Sequence, residues 1–161
     1  TVGFPRQIRA LAEADVKGRL AFSLNATTDE VRDRLMPVNR QHPFREVFEA
    51  LQEFQKRKRM RVTLEYVLLK GVNDTAEDAR RLAGFARRLR FKVNLIAYNP
   101  HPAAPFQPTG EEGIAAFVRA MSPIAPSATL RYSKGRDILA ACGQLSTTWR
   151  KNDPVETTQA G

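Results

Sequence analysis

At residues 61–69 the chain reads Arg61-Val62-Thr63-Leu64-Glu65-Tyr66-Val67-Leu68-Leu69. Such a run of β-branched and apolar residues is typical of a strand. Gly71 and the turn pair Asn73-Asp74 end it, and Thr75 then stands where a helix N-cap is expected. The residues that follow carry an apolar stripe at helical spacing, made of Ala79, Leu82, Ala83, Ala86 and Leu89. The stretch therefore predicts one strand-to-helix unit.

The same alternation continues on both sides of this unit. Further strands are predicted at residues 20–24, 91–98 and 128–132. Strands that alternate with helices of ten to fifteen residues favour a parallel sheet with outer helices, so the predicted fold class is α/β. Three or four strands make about half of a β/α barrel.

Three more helices follow from pattern and capping signals. The clearest has its apolar residues at i, i+3, i+4, i+7 and i+10, namely Phe44, Val47, Phe48, Leu51 and Phe54. Capping boxes are predicted at Thr27-Thr28-Asp29-Glu30 and at Thr109 with Glu112. The helix after Thr109 carries Ile114, Phe117, Val118 and Met121.

The chain opens with Thr1-Val2-Gly3, and residues at helical spacing follow almost at once. A half-barrel would also leave an exposed parallel edge, which proteins normally cover. We therefore expect residues 1–148 to be the C-terminal portion of a longer chain. Residues 149–161 turn polar and lose periodicity, which predicts a disordered tail.

The composition limits the classes of function. The 161 residues contain 26 Lys plus Arg and 17 Asp plus Glu, a formal net charge of +9 with a pI near 10.3. The charge fits an anionic partner or a merely solvated surface. One cysteine and two histidines exclude a disulfide within the chain and a self-contained zinc or iron–sulfur site. No signal peptide or membrane-spanning run is visible, so a cytoplasmic location is predicted.

Polar residues follow the predicted strands at the edge where barrel enzymes hold their ligands. Ser23 and Asn25 leave the first strand, and Asn99 leaves the third just before Pro100. Their neutral donors and acceptors suit a zwitterionic or ribose-bearing ligand. The alternative is that all three are ordinary cap and turn residues.

Cys142 lies between small residues, a setting more often typical of a buried hydrophobe than of a nucleophile. Its small neighbours give access, and Arg131, Lys134 and Arg136 nearby would favour the thiolate. Both interpretations stay open on pattern alone.

Other charged and polar residues give weaker indications. The five cations of the segment 56–61 could complement the helix dipole, grip phosphates, or do both. His42 and His101 are predicted at the surface. Glu65 and Asn94 could point into a barrel interior, although the sequence leaves their direction open.

Several blocks of this sequence together resemble a known family, the radical S-adenosylmethionine enzymes that methylate C2 of an adenosine in large-subunit ribosomal RNA and in certain tRNAs. The resemblance covers residues 1–148. Its blocks are Thr1-Val2-Gly3, Ser23-Leu24-Asn25-Ala26, the segment 33–39 ending in Met36-Pro37-Val38-Asn39, the segment 65–74, Asn94-Leu95-Ile96 with Asn99-Pro100, and Ala140-Ala141-Cys142-Gly143-Gln144-Leu145.

The resemblance implies the C-terminal half of a partial (β/α)6 barrel. It implies that Ser23, Leu24, Asn25 and Asn99 bind S-adenosylmethionine and that Cys142 is the catalytic cysteine. That cysteine would take a methyl group from one S-adenosylmethionine; a second, cleaved at a [4Fe–4S] cluster, would provide the radical that activates the methyl for addition to adenine C2. The implied substrates are 23S rRNA and tRNA, and the full-length protein is expected to be a monomer.

The chain departs from the family in two respects. Asn25 stands where many members have His, and Arg136 and Leu139 stand where more acidic residues are usual. The three-cysteine cluster motif and the resolving cysteine would precede Thr1, so the segment alone is expected to be inactive. The alternatives are the sister group that methylates C8 of the same adenosine and causes antibiotic resistance, and a catalytically idle basic RNA-binding fragment.

Overall fold

The structure, a computed structural model, describes residues 1–100, 104–123 and 128–132. Five α-helices, one 3₁₀ helix and four strands occur in these ranges. In chain order they are α1 Pro5–Glu13, β1 Ala21–Ser23, α2 Asp29–Leu35, the 3₁₀ helix Pro37–Arg40, α3 Phe44–Lys58, β2 Thr63–Leu68, α4 Ala76–Leu89, β3 Lys92–Ala97, α5 Glu111–Met121 and β4 Thr129–Arg131.

The four strands form one parallel sheet in the order β1-β2-β3-β4. Each strand lies beside its successor, and a helix stands between each consecutive pair of strands in the chain. The prediction of an α/β fold with a parallel sheet and helices is thereby confirmed.

Alternation along the strands separates two faces of the sheet. In β2 the side chains of Leu64, Tyr66 and Leu68 are fully buried, while the residues between them are half-buried. The buried face packs in one core with the helices, whose inward residues include Val47 and Leu51 of α3. The predicted apolar stripes are confirmed, because their members are buried or packed against this core.

The three predicted caps have different outcomes. Thr75 is the N-cap of α4, which confirms the prediction, and it forms a capping box with Asp78. At α2 the N-cap is Thr28, whose hydroxyl accepts from the backbone N of Val31 at 3.4 Å, and no box forms with Glu30. The box predicted at Thr109 is wrong, since α5 has Gly110 as its N-cap and no side-chain cap.

Two distant carboxylates explain the lost caps. The Thr109 hydroxyl donates to Oδ2 of Asp74 at 2.8 Å. The Thr27 hydroxyl donates to Oδ1 of Asp78 at 2.5 Å. Both threonines are buried, and they tie loops to the start of α4 rather than capping their own helices.

Three sequence predictions fall on residues outside the described ranges: Cys142, His101 and the tail 149–161. Among the described helices, none combines the length and the apolar character that spanning a membrane requires.

Candidate functional site

The carboxyl ends of β1, β2 and β3 meet at one edge of the sheet because the strands are parallel. We call this the top edge. Ser23 is the last residue of β1, Asn25 lies two residues beyond it, and Asn99 lies two residues beyond the end of β3. The structure thus brings the three predicted polar residues to the same edge.

Ser23 occupies a rigid position and keeps its hydroxyl available. Its backbone N donates to the carbonyl of Thr1 at 2.9 Å. The residue is half-buried and lies in register with Glu65 on the face of the sheet away from the core. Its hydroxyl makes no hydrogen bond with the described residues, so it can accept from or donate to a ligand.

Leu24 has a different character. Its side chain is fully buried in the core, its backbone N donates to the carbonyl of Glu65 at 3.0 Å, and its carbonyl accepts from Arg32. The predicted ligand residue therefore holds the loop to the sheet and the core, and its polar backbone groups are already paired.

Asn25 joins β1 to β2. Its backbone is in the left-handed region at φ 57°, which Asn tolerates better than most residues. Its Oδ1 accepts from the backbone N of Val67 at 3.0 Å, and its Nδ2 lies 3.5 Å from the sulfur of Met36. Both polar atoms of the side chain therefore already have partners within the protein.

A buried arginine, Arg32 of α2, underlies this loop, and sequence reasoning missed it. Its guanidinium donates from Nε to the carbonyl of Leu24 at 3.0 Å and from Nη2 to the carbonyls of Val2 at 2.8 Å and Ser23 at 3.3 Å. It also lies 5.0 Å from the ring centroid of Phe22, within cation–π range. One side chain thus fixes the start of the chain and the end of β1.

The charge of Arg32 is kept despite its burial. Desolvation lowers the pKa of Arg32 to about 10, while Asp29 and Asp33 act in the opposite direction. At neutral pH the guanidinium is therefore still protonated. Its remaining partner is Asn39, whose Nδ2 donates to Asp29 at 2.8 Å and Asp33 at 2.7 Å.

A second buried amide, Asn73, fixes the end of β2. Its Nδ2 donates to the carbonyls of Asn25 at 2.7 Å and Val67 at 2.8 Å, and its Oδ1 accepts from the backbone N of Leu69 at 2.8 Å. The Tyr66 hydroxyl donates to its carbonyl at 2.9 Å. Burial raises the pKa of Tyr66, so that hydroxyl stays protonated as a donor.

Asp78 completes the support from the α4 side. It accepts from the hydroxyls of Thr27 at 2.5 Å and Thr75 at 2.6 Å and from Nη2 of Arg81 at 2.9 Å. Burial acts to raise the pKa of Asp78, but the hydrogen bonds from Thr27, Thr75 and Arg81 outweigh it and the pKa is lowered. The carboxylate is therefore ionised at neutral pH.

The face of the sheet away from the core carries a polar row. Register places Ser23, Glu65, Asn94 and Thr129 side by side across the four strands. Nδ2 of Asn94 donates to Oε2 of Glu65 at 2.6 Å, and the Thr129 hydroxyl donates to Oδ1 of Asn94 at 3.1 Å. The direction of Glu65 and Asn94, open from sequence, is toward this face.

A cavity of about 660 Å³ lies over Glu65, Asn94 and Thr129 of this row and extends to Thr63 and Lys92, the first residues of β2 and β3. Its lining includes Glu65 and Asn94 together with four cationic residues, Arg19, Arg61, Lys92 and Arg131. The open face of the sheet is thus polar and predominantly positive.

Three remaining predictions concern single residues. Asn99 is half-buried at the top edge. His42, predicted at the surface, is half-buried, and its ring lies 5.8 Å from that of the exposed Phe4. Cys142 lies outside the described ranges.

Sequence signals for the missed residues are few. Arg32 and Asn39 flank or end a block that the resemblance singles out, and Asn73 belongs to another. A charged residue facing the core of a short helix is recognisable only when that helix's inner face is known, and α2 has just seven residues.

Comparisons with known proteins give the family. The family model described as Radical SAM superfamily matches residues 1–83. The Dual-specificity RNA methyltransferase RlmN of Anaeromyxobacter sp. (strain Fw109-5) is 45% identical over 154 residues, covering 96% of this chain and 41% of that protein. A Probable dual-specificity RNA methyltransferase RlmN of Thermus thermophilus is 42% identical over 146 residues, covering 91% of this chain and 41% of that protein.

Solved structures agree with the sequence relatives. A radical SAM methyltransferase from Sphaerobacter thermophilus superposes with a TM-score of 0.85 at 43% identity, covering 89% of this chain and 42% of that one. A domain of a pyruvate-formate lyase-activating enzyme from Bacteroides vulgatus shares the fold, with a TM-score of 0.62 at 15% identity. The chain spans about two-fifths of the length of the curated relatives it matches. On the matched residues and the shared fold, this chain belongs to the radical SAM superfamily.

Proposed function

We propose that the protein containing this chain is an RNA methyltransferase that methylates C2 of an adenosine. The observation that carries the proposal is 45% identity over 96% of this chain to a protein named as an RNA methyltransferase. The top edge supports it, because its polar groups are held in place by buried hydrogen bonds on the side where barrel enzymes bind ligands.

Members of the superfamily use S-adenosylmethionine and a [4Fe–4S] cluster. The residues at the top edge fit the first of these. Ser23 offers a hydroxyl without a partner among the described residues, and Asn99 stands at the same edge. We assign S-adenosylmethionine to this edge, with Asn25 shaping the loop around it, because its side chain is engaged with Val67 and its carbonyl with Asn73. When bound, it supplies the methyl group and, with an electron from the cluster, the means to activate it.

The chain does not hold the cluster by itself. It has one cysteine, and the described residues bring together no group of three His, Cys, Asp or Glu side chains. Three cysteine ligands are the usual minimum for a cluster with an open iron. We therefore propose that the cluster ligands, and the resolving cysteine, are supplied by residues outside this chain.

Cys142 is the proposed methyl carrier. Its thiol gives up its proton to solvent, and the thiolate takes the methyl group as the S–CH3 bond of S-adenosylmethionine breaks and S-adenosylhomocysteine leaves. The thioether that forms keeps that carbon beside the base. This tether is needed because adenine C2 is a poor nucleophile. The expected partners are 23S rRNA and tRNA, and the expected setting is the cytoplasm, with the protein as a monomer.

Product analysis tests the proposal. The full-length protein, with its cluster reconstituted, is incubated with S-adenosylmethionine and a 23S rRNA transcript. The RNA is then digested to nucleosides, which are separated by chromatography and identified by mass spectrometry. We expect 2-methyladenosine. Production of 8-methyladenosine would assign the protein to the sister group, and RNA binding without any methylation would make it an idle RNA-binding protein; either result contradicts the proposal.

A further inference from the structure

A groove of about 440 Å³ lies between the C-terminal ends of α3 and α4. Five cationic residues line it, namely Lys56, Arg59, Arg61, Arg88 and Arg90, and none of the described residues in its lining carries a carboxylate. Sequence analysis singles out the cations of segment 56–61. The fold adds Arg88 and Arg90 from the next β/α unit, and we call this feature the basic groove.

The cations of the basic groove are unpaired within the described part of the chain. None of the five forms an ion pair with a described carboxylate. Their neighbour Arg57, in contrast, pairs with Glu13 at 3.2 Å, and Lys58 donates to the carbonyl of Ala14. Glu53, which lies one turn before Arg57, is engaged by Arg9 at 2.8 Å. The carboxylates of Glu13 and Glu53 are thus already paired with cations outside the basic groove.

Helix dipoles account for only part of this charge. A cation in the last turn of a helix is stabilised by the carbonyls there, which explains Lys56 in α3 and Arg88 in α4. Arg59 and Arg90 are the C-cap residues of the same two helices, and Arg61 lies two residues beyond Arg59. Like charges gathered around one groove repel each other, and a polyanion laid in the groove would relieve that repulsion.

The basic groove lies at the edge of the sheet opposite the candidate site. Helices α3 and α4 lead directly into β2 and β3, so their C-terminal ends stand at the strands' amino ends. The six residues of β2 separate this edge from the top edge, a distance of about 16 Å at 3.3 Å per residue. A nucleotide bound at the top edge therefore does not reach the groove.

We infer that the basic groove binds the phosphodiester backbone of the substrate RNA at a point remote from the modified adenosine. The inference rests on the proposed function. Arg presents a planar fork that matches phosphate oxygens, and four of the five cations are arginines. Contacts of this kind position the RNA and strengthen binding without reading its sequence.

The test neutralises one arginine from each helix end in the full-length protein, in the double variant Arg59→Gln/Arg88→Gln. Its affinity for a 23S rRNA transcript is measured by filter binding between about 0.05 and 0.2 M salt. The plot of log affinity against log salt is expected to become shallower by about 1 to 2 units, with a Kd about tenfold higher at 0.1 M salt. The rate at saturating RNA and the affinity for S-adenosylmethionine are expected to stay unchanged.

A matched control removes the same charge from the same two helices. Arg45 of α3 and Arg80 of α4 are exposed and lie in the helices' N-terminal halves, so Arg45→Gln/Arg80→Gln should leave the salt dependence unchanged. If the groove variant binds RNA like the parent protein, or no worse than the control variant, the inference is overturned. The methylated product of the parent protein tests the proposed function separately, because it does not depend on the groove.

Discussion

Nη1 of Arg32 donates to Oδ1 of Asn39 at 2.7 Å, and both side chains are buried. This bond joins α2 to the 3₁₀ helix, and the other nitrogens of the same guanidinium hold the carbonyls of Val2, Ser23 and Leu24. The loop that carries Ser23 and Leu24, where we place S-adenosylmethionine, is therefore held by a fully buried arginine. The variants that follow are made in the full-length protein.

Replacing Arg32 by Lys keeps the charge but not the planar fork. A single ammonium cannot reproduce four hydrogen bonds in three directions, so we expect a loss of about 2–4 kcal/mol in the free energy of unfolding. The KM for S-adenosylmethionine should also rise, because the Ser23 loop loses its support. Urea unfolding and steady-state kinetics measure the two effects.

The control for this prediction is Arg34→Lys in the same helix, where the side chain is exposed. It should change the unfolding free energy by less than about 0.5 kcal/mol. Equal stability of the Arg32→Lys and Arg34→Lys proteins would show that the buried network does not support the loop.

Ser23 and Leu24 are neighbours with separable roles. Ser23→Ala removes a hydroxyl with no partner among the described residues, so stability should be unchanged while the affinity for S-adenosylmethionine falls about two- to tenfold. Leu24→Ala empties a fully buried position and should cost about 2–5 kcal/mol of stability. Calorimetric titration with S-adenosylmethionine and thermal melting give the two readouts; unaltered affinity in Ser23→Ala would remove its hydroxyl from the site.

Asp78 gives a pH-dependent contribution to stability. Its pKa in the folded protein lies below the usual value of 3.8, so the ionised form is the one that folding stabilises. The contribution is present above about pH 4 and is lost as the pH falls through the folded-state pKa. The stability difference between the parent protein and Asp78→Asn should therefore shrink as urea unfolding is repeated from about pH 7 down to about pH 3. A difference that is constant over this range would contradict the assignment.

Gly3 is held in a conformation that other residues rarely adopt, with φ 105°. An added Cβ would lie 2.9 Å from the Phe22 ring and 3.0 Å from Val47. Gly3→Ala should therefore destabilise the protein by about 1–3 kcal/mol. Gly84→Ala in α4, where a Cβ meets nothing within 4 Å, should instead stabilise it by about 0.5–1 kcal/mol. Thermal melting should therefore give a lower melting temperature for Gly3→Ala and a higher one for Gly84→Ala. A melting temperature raised by Gly3→Ala would contradict the close contact of Gly3 with Phe22 and Val47.

Local periodicity was enough to predict the strands and the helix stripes. Val47, Leu51 and Phe54 recur at helical spacing, and burial of one helix face is the direct physical consequence. The position of the top edge could also be predicted, because the carboxyl ends of parallel strands lie at the same edge of the sheet.

Long-range polar partners could not be predicted. Thr109 is bound by Asp74, 35 residues away, and Thr27 by Asp78, 51 residues away, so their hydroxyls are diverted from the caps that the local sequence favours. The partners of Arg32 could not be predicted either. They are backbone carbonyls, which every residue type carries, so the sequence does not indicate which of them lie near the guanidinium.

Methyl transfer through Cys142 is the step that most directly distinguishes this account. The full-length protein is incubated with S-adenosylmethionine labelled in its methyl group, first without RNA and then with a 23S rRNA transcript. The mass of the tryptic peptide 137–150, which contains Cys142, is then measured by mass spectrometry. We expect a labelled methyl group on Cys142 that passes to adenosine when RNA is added. Labelled RNA from a protein whose Cys142 never carries the label, or from Cys142→Ala, would contradict it.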